Sequence, residues 1–190
     1  MRIVALDMGM KNFAMAQMEI EENEDEEQED KRIRWGNVRF IDVHDLSLDG
    51  GESMRSLIVY MDEQCKVWES TDVVLIEQQL NRHNVIATRL ACHTAAYFYH
   101  RYPDLMVMEY PATYKTRYLN APRTLDHKGR KKFAIDAVLT HYREEDPDPV
   151  LMDWLTCCEA KKLDDICDCI LMCATMPCSP LYGKIKERRK

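Results

Sequence analysis

Glycine is scarce in this chain, which has only six in 190 residues. Neither a P-loop nor a dinucleotide-binding glycine pattern occurs, so a nucleotide enzyme of either type is not expected. No apolar run approaches the roughly 20 residues that cross a bilayer, and no signal pattern precedes the first strand-like run. The sequence therefore predicts an intracellular protein with no membrane partner. With 46% hydrophobic and 31% charged residues, it has the composition of one globular domain.

The eight cysteines include no CxxC pair, the spacing that usually marks a structural zinc site. Six lie in the C-terminal quarter, where Cys167 and Cys169 would point to different faces of one helix. We interpret the cysteines as reduced core thiols of a protein in a reducing compartment. A zinc cluster of Cys158, Cys167, Cys173 and His93 is the less favoured alternative.

The net charge of −7 is concentrated in one segment, because nine of the 33 acidic residues lie within 19–30. Without these nine, 24 acidic residues face 26 basic ones. An acidic insertion over 21–32 is predicted to be a solvated loop. Two basic segments remain, at 115–132 and 184–190, and they suit a polyanionic partner without requiring one.

The hydrophobic patterns predict three strands, then helix, strand, helix and strand, followed by further helices. This order indicates an α/β fold of three layers, in which a mixed five-stranded sheet is flanked by helices. We expect one domain over 1–178 and a basic tail over 179–190, with a basic loop at about 112–128. Strands are predicted at 2–6, 13–20, 33–43, 72–76 and 105–108, and helices at 54–68, 82–101, 131–142, 150–160 and 163–176.

Four carboxylates stand where the strand and helix patterns favour other residues. Asp7 closes the first apolar strand, and Glu77 closes the fourth. Asp165 and Asp168 are three residues apart, so they share one face of the last helix, whereas Asp164 points about 100° away from Asp165. If the first and fourth strands are neighbours, the four groups converge.

Ionised acids at such a density need cations, and carboxylate oxygens suit Mg²⁺ or Mn²⁺. Two such ions can stabilise the attacking and the leaving oxygen of a phosphoryl displacement. Each acid alone has an ordinary interpretation, as a turn residue, a solvated strand end or a helix N-terminal acid. Their combination in this chain order favours a metal-dependent site.

Several short segments together resemble the RuvC-type Holliday-junction resolvases of the RNase H-like superfamily. The similarity is strongest to the resolvases of large DNA viruses of the poxvirus and iridovirus type. It rests on Ile3–Asn12, Val74–Gln79 and Lys162–Asp168, with a further match from Met108–Pro111 to Lys115. It covers roughly residues 2–176.

The resemblance implies an RNase H-like nuclease whose catalytic metal ligands are Asp7, Glu77, Asp165 and Asp168, with Asp164 in reserve. It implies two Mg²⁺ ions per active site, replaceable by Mn²⁺, and no small-molecule cofactor. The substrate would be a four-way DNA junction in recombination or repair, cut by paired symmetric nicks that leave 5′-phosphate ends. The enzyme would be a viral homodimer in the host cytoplasm or nucleus, with a mitochondrial location less expected.

Two surfaces follow from this reading. Basic residues are expected to line the junction arms: Lys115, Arg117, Arg123, Lys128, Arg130, Lys131 and Lys132. The helix at 82–101 is expected to form the dimer interface, through Val85, Ile86, Leu90, Ala91, His93, Thr94, Tyr97 and Phe98.

The chain departs from the family at the acidic insertion and at Leu80, where bacterial relatives carry an aromatic residue. Base stacking at Leu80 is therefore not expected. Three other functions stay open: an RNase H-like nuclease for another branched or hybrid substrate, an inert DNA-binding scaffold of the same fold, and an actin-like ATPase fragment. The last is disfavoured because 190 residues cannot form its two large lobes.

Overall fold

The computed structural model describes residues 1–21, 33–47, 53–79, 84–157 and 162–189. The acidic insertion beyond Glu21 lies outside the described residues, as do the Asp49–Gly51 turn, Leu80 and Cys158.

Five strands form one mixed sheet in the order β3-β2-β1-β4-β5. β1 pairs antiparallel with β2 and parallel with β4, while β2 and β3 are antiparallel and β4 and β5 are parallel. The central strand β1 is apolar on both faces, and its residues 3–6 are fully buried, as the middle strand of a covered sheet requires. The strands are β1 Arg2–Asp7, β2 Phe13–Glu19, β3 Asn37–His44, β4 Val73–Glu77 and β5 Met106–Tyr110.

Eight described helices cover the two faces of the sheet: α1 Ser53–Glu63, α2 Cys65–Glu69, α3 Val85–Arg101, α4 Ala112–Tyr118, α5 His127–Leu139, α6 Pro149–Cys157, α7 Leu163–Thr175 and α8 Leu181–Arg189. A π-helical segment, Thr140–Glu145, extends α5, and a 3₁₀ turn, Met176–Cys178, follows α7. No single described helix is long and apolar enough to cross a bilayer; α7 and α8 together pass that test by length and composition, with a bend of 70° between them.

Alternating residues of the strands feed two separate cores. Val4 and Leu6 of β1 face α1, α2 and α3, where they join Trp68 and Phe98. The residues between them face α5, α6, α7 and α8 in a second core. The predicted three-layer architecture is therefore confirmed.

Three predicted segments differ from the structure. The predicted loop at 112–128 begins with the helix α4, which follows Pro111 and is too short for an apolar period to show in the sequence. The predicted helix at 54–68 is divided at Gln64. The predicted tail at 179–190 contains α8, whose Ile185 is 1% exposed and belongs to the second core.

Candidate active site

Asp7 and Glu77 meet because their strands are parallel neighbours. The β1–β4 register pairs Leu6 with Ile76, so the two acids follow at the same edge of the sheet. Their carboxyl groups are hydrogen-bonded to each other. The chain leaves Asp7 through a tight turn, in which Gly9 lies so close to the carbonyl of Asn12 that a side chain would clash there.

Helix α7 brings two further aspartates toward this edge. Its buried face packs on β1 and β2, and the thiol of Cys173 points to the carbonyl of Ile3. Asp168 lies one turn into the helix and is linked to the strand acids by a shared cation. Asp165, one turn earlier, hydrogen-bonds the side chain of Asn12.

The shared cation is Lys115, near the middle of α4. Its ammonium lies 2.7 Å from Oε1 of Glu77 and 3.0 Å from Oδ2 of Asp168. The lysine is only 5% exposed. The sequence groups it with the basic residues of the DNA surface, but the structure places it among the carboxylates. We call Asp7, Glu77, Lys115, Asp165 and Asp168 the carboxylate site.

Two amide side chains hold the acids in place. The amide of Gln79 donates to Oε2 of Glu77 at 3.2 Å, on the oxygen that Lys115 leaves free. The Asn12 amide holds Asp165 in the same way. Sequence reasoning quoted both amides within motifs but gave neither a role, because their contacts depend on the turns that follow β1 and β4.

Asp164 contacts a different cation from Asp168, although the two are four residues apart and neighbours on the surface of α7. Its Oδ2 lies 2.5 Å from the ammonium of Lys131, at the start of α5. That hydrogen bond raises the pKa of Lys131. The pair joins the basic end of α5 to the helix that carries Asp165 and Asp168.

The pKa values report more negative charge than the site can neutralise. Burial and the repulsion of Glu77 raise the pKa of Asp7 well above its usual range. Burial and the neighbouring Asp164 raise the pKa of Asp165 to about 6. Burial also raises the pKa of Asp168, although Lys115 opposes the shift. Burial acts on Glu77 in the same direction, but the charge of Lys115 and the hydrogen bonds to Asp7, Lys115 and Gln79 together outweigh it, so the pKa of Glu77 is lowered.

A divalent cation suits this donor set. The oxygens are carboxylates, they are buried or half-buried, and one ammonium offsets several of them. Among the described residues, however, no three acidic, histidine or cysteine side chains already enclose a space for a metal ion. The oxygens are therefore of the type that binds a divalent cation, but they do not enclose a space for one, because the ammonium of Lys115 lies between Glu77 and Asp168.

The other predicted DNA-binding residues are exposed and follow the carboxylate site along the chain. Arg117 projects from α4 and lies over the ring of Tyr114. The rest extend through the following loop into the first turns of α5: Arg123, Lys128, Arg130, Lys131 and Lys132.

The zinc alternative and most of the predicted interface on α3 do not fit the structure. Cys167 and Cys173 are buried on the α7 side of the sheet, whereas His93 is exposed on α3 on the other side. On α3, Leu90, Thr94 and Phe98 are fully buried and Tyr97 nearly so, because they pack in the core of the same chain. An apolar face in a sequence does not reveal which partner covers it. Val85, Ile86 and His93 are exposed, as an interface requires.

Comparison with known proteins places the chain among viral proteins. A family model described as "Poxvirus A22 protein" matches residues 1–176. An uncharacterized protein, 97L, of Invertebrate iridescent virus 3 is 34% identical over 76 residues, covering 40% of this chain and 37% of that protein. The chain thus matches little more than a third of the length of that curated relative.

Solved structures share the fold at low sequence identity. The yeast mitochondrial Holliday junction resolvase Ydc2 is 17% identical with a TM-score of 0.61, over 98% of this chain and 82% of that one. Thermus thermophilus RuvC is 12% identical with a TM-score of 0.60, over 98% and 97%. Fowlpox virus resolvase in complex with substrate Holliday junction DNA is 15% identical with a TM-score of 0.60, over 92% and 99%. The predicted RNase H-like fold is confirmed by these likenesses.

Proposed function

The chain belongs to the poxvirus A22 protein family, and from that premise we propose that it is an endonuclease that resolves four-way DNA junctions. The observation that carries the proposal is the carboxylate site at the carboxyl ends of β1 and β4, with an exposed basic segment beginning beside it. The fold it shares with three resolvases supports the choice of substrate.

The proposed cofactor is Mg²⁺, with Mn²⁺ as a substitute and two ions in each active site. Asp7, Glu77, Asp165 and Asp168 would hold it. The ions supply Lewis-acid stabilisation of the charge that develops on the oxygens around the reacting phosphorus. The protein's own part is to keep the acids oriented through Gln79 and Asn12. The products would carry 5′-phosphate and 3′-hydroxyl ends.

A direct test offers the protein three substrates in Mg²⁺: a synthetic immobile junction, a linear duplex of the same sequence and an RNA–DNA hybrid. We expect two symmetric nicks in the junction, which can be rejoined by ligase, and little cleavage of the other two. Faster cleavage of the hybrid would instead assign the site to an RNase H-like enzyme of other specificity. Junction binding with no cleavage in any divalent cation would favour an inert scaffold.

For the junction arms we propose the exposed basic residues from Arg117 to Lys132. Lys128 and Lys132 are exposed on α5 and offer phosphate contacts without disturbing the Lys131–Asp164 pair. Each phosphate contact contributes roughly 0.9 to the slope of log affinity against log salt. Lys128→Glu and Lys132→Glu together should lower both affinity and slope, and an unchanged slope would place the DNA elsewhere.

We also propose that the enzyme is a two-fold dimer, because a four-way junction presents two strands related by approximate two-fold symmetry. Among the described residues, every large apolar side chain that is strongly exposed lies on α1 or α3. Ile58, Val59, Val85, Ile86 and Tyr99 are 46 to 64% exposed on these two packed helices, and we call them the α1–α3 patch. This patch replaces the buried α3 residues as the proposed interface.

A further inference from the structure

The buried lysine of the carboxylate site has an environment unlike that of the other basic residues in its segment. Arg117, Lys128 and Lys132 are exposed, whereas the side chain of Lys115 is 6% exposed and ends between two carboxylates. An ammonium can be buried at this depth only when paired charges replace its hydration. Lys115 has both partners, Glu77 and Asp168, at hydrogen-bond distance.

The same contacts matter to the acids. Glu77 and Asp168 come from different elements, β4 and α7, and Lys115 on α4 is the cation that joins them. Without it, buried carboxylates would face each other with no opposite charge between them. The lysine therefore does for the acids what a metal ion would do, with one positive charge instead of two.

A metal ion and this ammonium compete for the same oxygens. An ion bound by Glu77 and Asp168 would stand within a few ångströms of the Lys115 nitrogen, where two positive charges repel strongly in a buried site. We propose that Lys115 is an internal counter-ion that occupies the cation position in the metal-free protein and leaves it when a divalent ion binds. This inference rests on the metal-dependent part of the proposed function and adds the exchange at that site.

A counter-ion that a metal ion displaces and a lysine that only supports the structure predict opposite changes in metal affinity when the lysine is removed. If metal must displace the ammonium, part of the metal-binding free energy is used to break two ion pairs. Removing the ammonium while keeping the length of the side chain should then tighten metal binding. A lysine that only shapes the site would weaken metal binding when it is removed.

The experiment is a calorimetric titration of the DNA-free protein with Mg²⁺ or Mn²⁺, comparing wild type with Lys115→Met. We expect the variant to bind the ion at least about tenfold more tightly. We also expect its metal-free form to melt roughly 5 to 15 °C lower than the metal-free wild type. The matched control is Lys131→Met, which removes a lysine of α5 that pairs with Asp164, a residue of α7 outside the carboxylate site. Its affinity for the ion should change less than about threefold, as for a partly exposed pair.

A second measurement uses the wild type alone and decides the question if Lys115→Met does not fold. Lys115 should react slowly with an amine-acetylating reagent in the absence of metal, as its burial requires. Saturating Mg²⁺ should speed that reaction at least about fivefold, as local opening predicts. The exposed Lys66 should react at the same rate in both conditions and serves as the internal reference.

The outcomes separate this inference from the proposed function. If wild type binds the ion and Lys115→Met binds it equally or more weakly, the counter-ion role is overturned while the metal site stands. If neither protein binds a divalent ion, both proposals are overturned. Unchanged reactivity of Lys115 on metal binding also overturns the exchange.

Discussion

At the scale of single residues, the sequence predicts where acids stand better than what surrounds them. The sequence identifies Asp7 and Glu77 as candidate site residues because each ends an apolar strand. The parallel register of β1 and β4 then brings the carboxyl ends of these two strands together. Lys115 could not be identified in the same way, because one lysine of a basic segment that turns inward carries no local signal. Its partners come from β4 and α7, 38 and 53 residues away in the sequence.

The raised pKa values of the aspartates predict an unusual dependence of stability on pH. An aspartate with a folded pKa near 6, above its unfolded value, binds a proton more tightly in the folded protein. The metal-free protein should therefore gain stability as the pH falls from 7.5 to 5.5. We expect its melting temperature to rise by about 2 to 5 °C. The lowered pKa of Glu77 does not oppose this gain, because that group stays ionised throughout the range.

Two controls make this pH prediction specific to the carboxylate site. Asp165→Asn removes a titrating group and should reduce the gain. Saturating Mg²⁺ should abolish it, because the ion binds the deprotonated acids. A metal-free wild type that melts at a lower temperature at pH 5.5 than at 7.5 would contradict the charge distribution described here.

At the scale of elements, hydrophobic periodicity located all five strands and the long helices to within a few residues. It missed α4 because a seven-residue helix after Pro111 is too short to display a period. It also misread α3, whose apolar residues pack on the sheet and on α1 of the same chain. Periodicity indicates that a face is buried but not what buries it.

The turn after β1 gives an element-scale prediction. A methyl group at Gly9 would press against the backbone carbonyl of Asn12. Gly9→Ala should therefore cost about 1 to 3 kcal/mol in the free energy of unfolding and displace Asn12 from Asp165. Urea denaturation measures the cost, and the metal affinity reports the displacement.

The matched control for this turn is Gly183→Ala in α8. No atom lies within 4 Å of a side-chain carbon placed at Gly183. That substitution should be neutral or stabilise the protein by up to about 1 kcal/mol, since alanine is the better helix former. Equal free energies of unfolding for Gly9→Ala and Gly183→Ala would contradict the close approach of Gly9 to the carbonyl of Asn12.

At the scale of the whole molecule, the proposed junction resolution requires two surfaces to cooperate. The basic segment begins beside the carboxylate site, whereas the α1–α3 patch lies on the opposite face of the sheet. The exposure of most of the basic segment was predictable, because charged residues usually stay exposed, and Lys115 is the exception. For the proposed dimer surface the sequence indicates only a helix, and the residues now proposed were chosen by their exposure.

Ile86→Asp tests the proposed dimer. A charge within the proposed apolar interface should separate the subunits, because it would be buried without a partner. Sedimentation should show a half-sized species, and a supercoiled cruciform should be nicked one strand at a time. Thr156→Asp is the control, because Thr156 is exposed on α6, on the other face of the sheet. A folded Ile86→Asp protein that stays dimeric and makes paired nicks would move the interface elsewhere.

The central claim is that the acids joined by Lys115 are the catalytic centre, and two neighbouring aspartates of α7 test it most directly. Asp168 contacts Lys115 inside the carboxylate site, whereas Asp164 pairs with Lys131 outside it. The measurement is cleavage of a synthetic four-way junction in Mg²⁺ by Asp168→Asn and Asp164→Asn, with junction binding measured in parallel. We predict that Asp168→Asn binds the junction and does not cut it, while Asp164→Asn cuts it at close to the wild-type rate. Wild-type cleavage by Asp168→Asn, or equal loss of cleavage in both variants, would contradict the account.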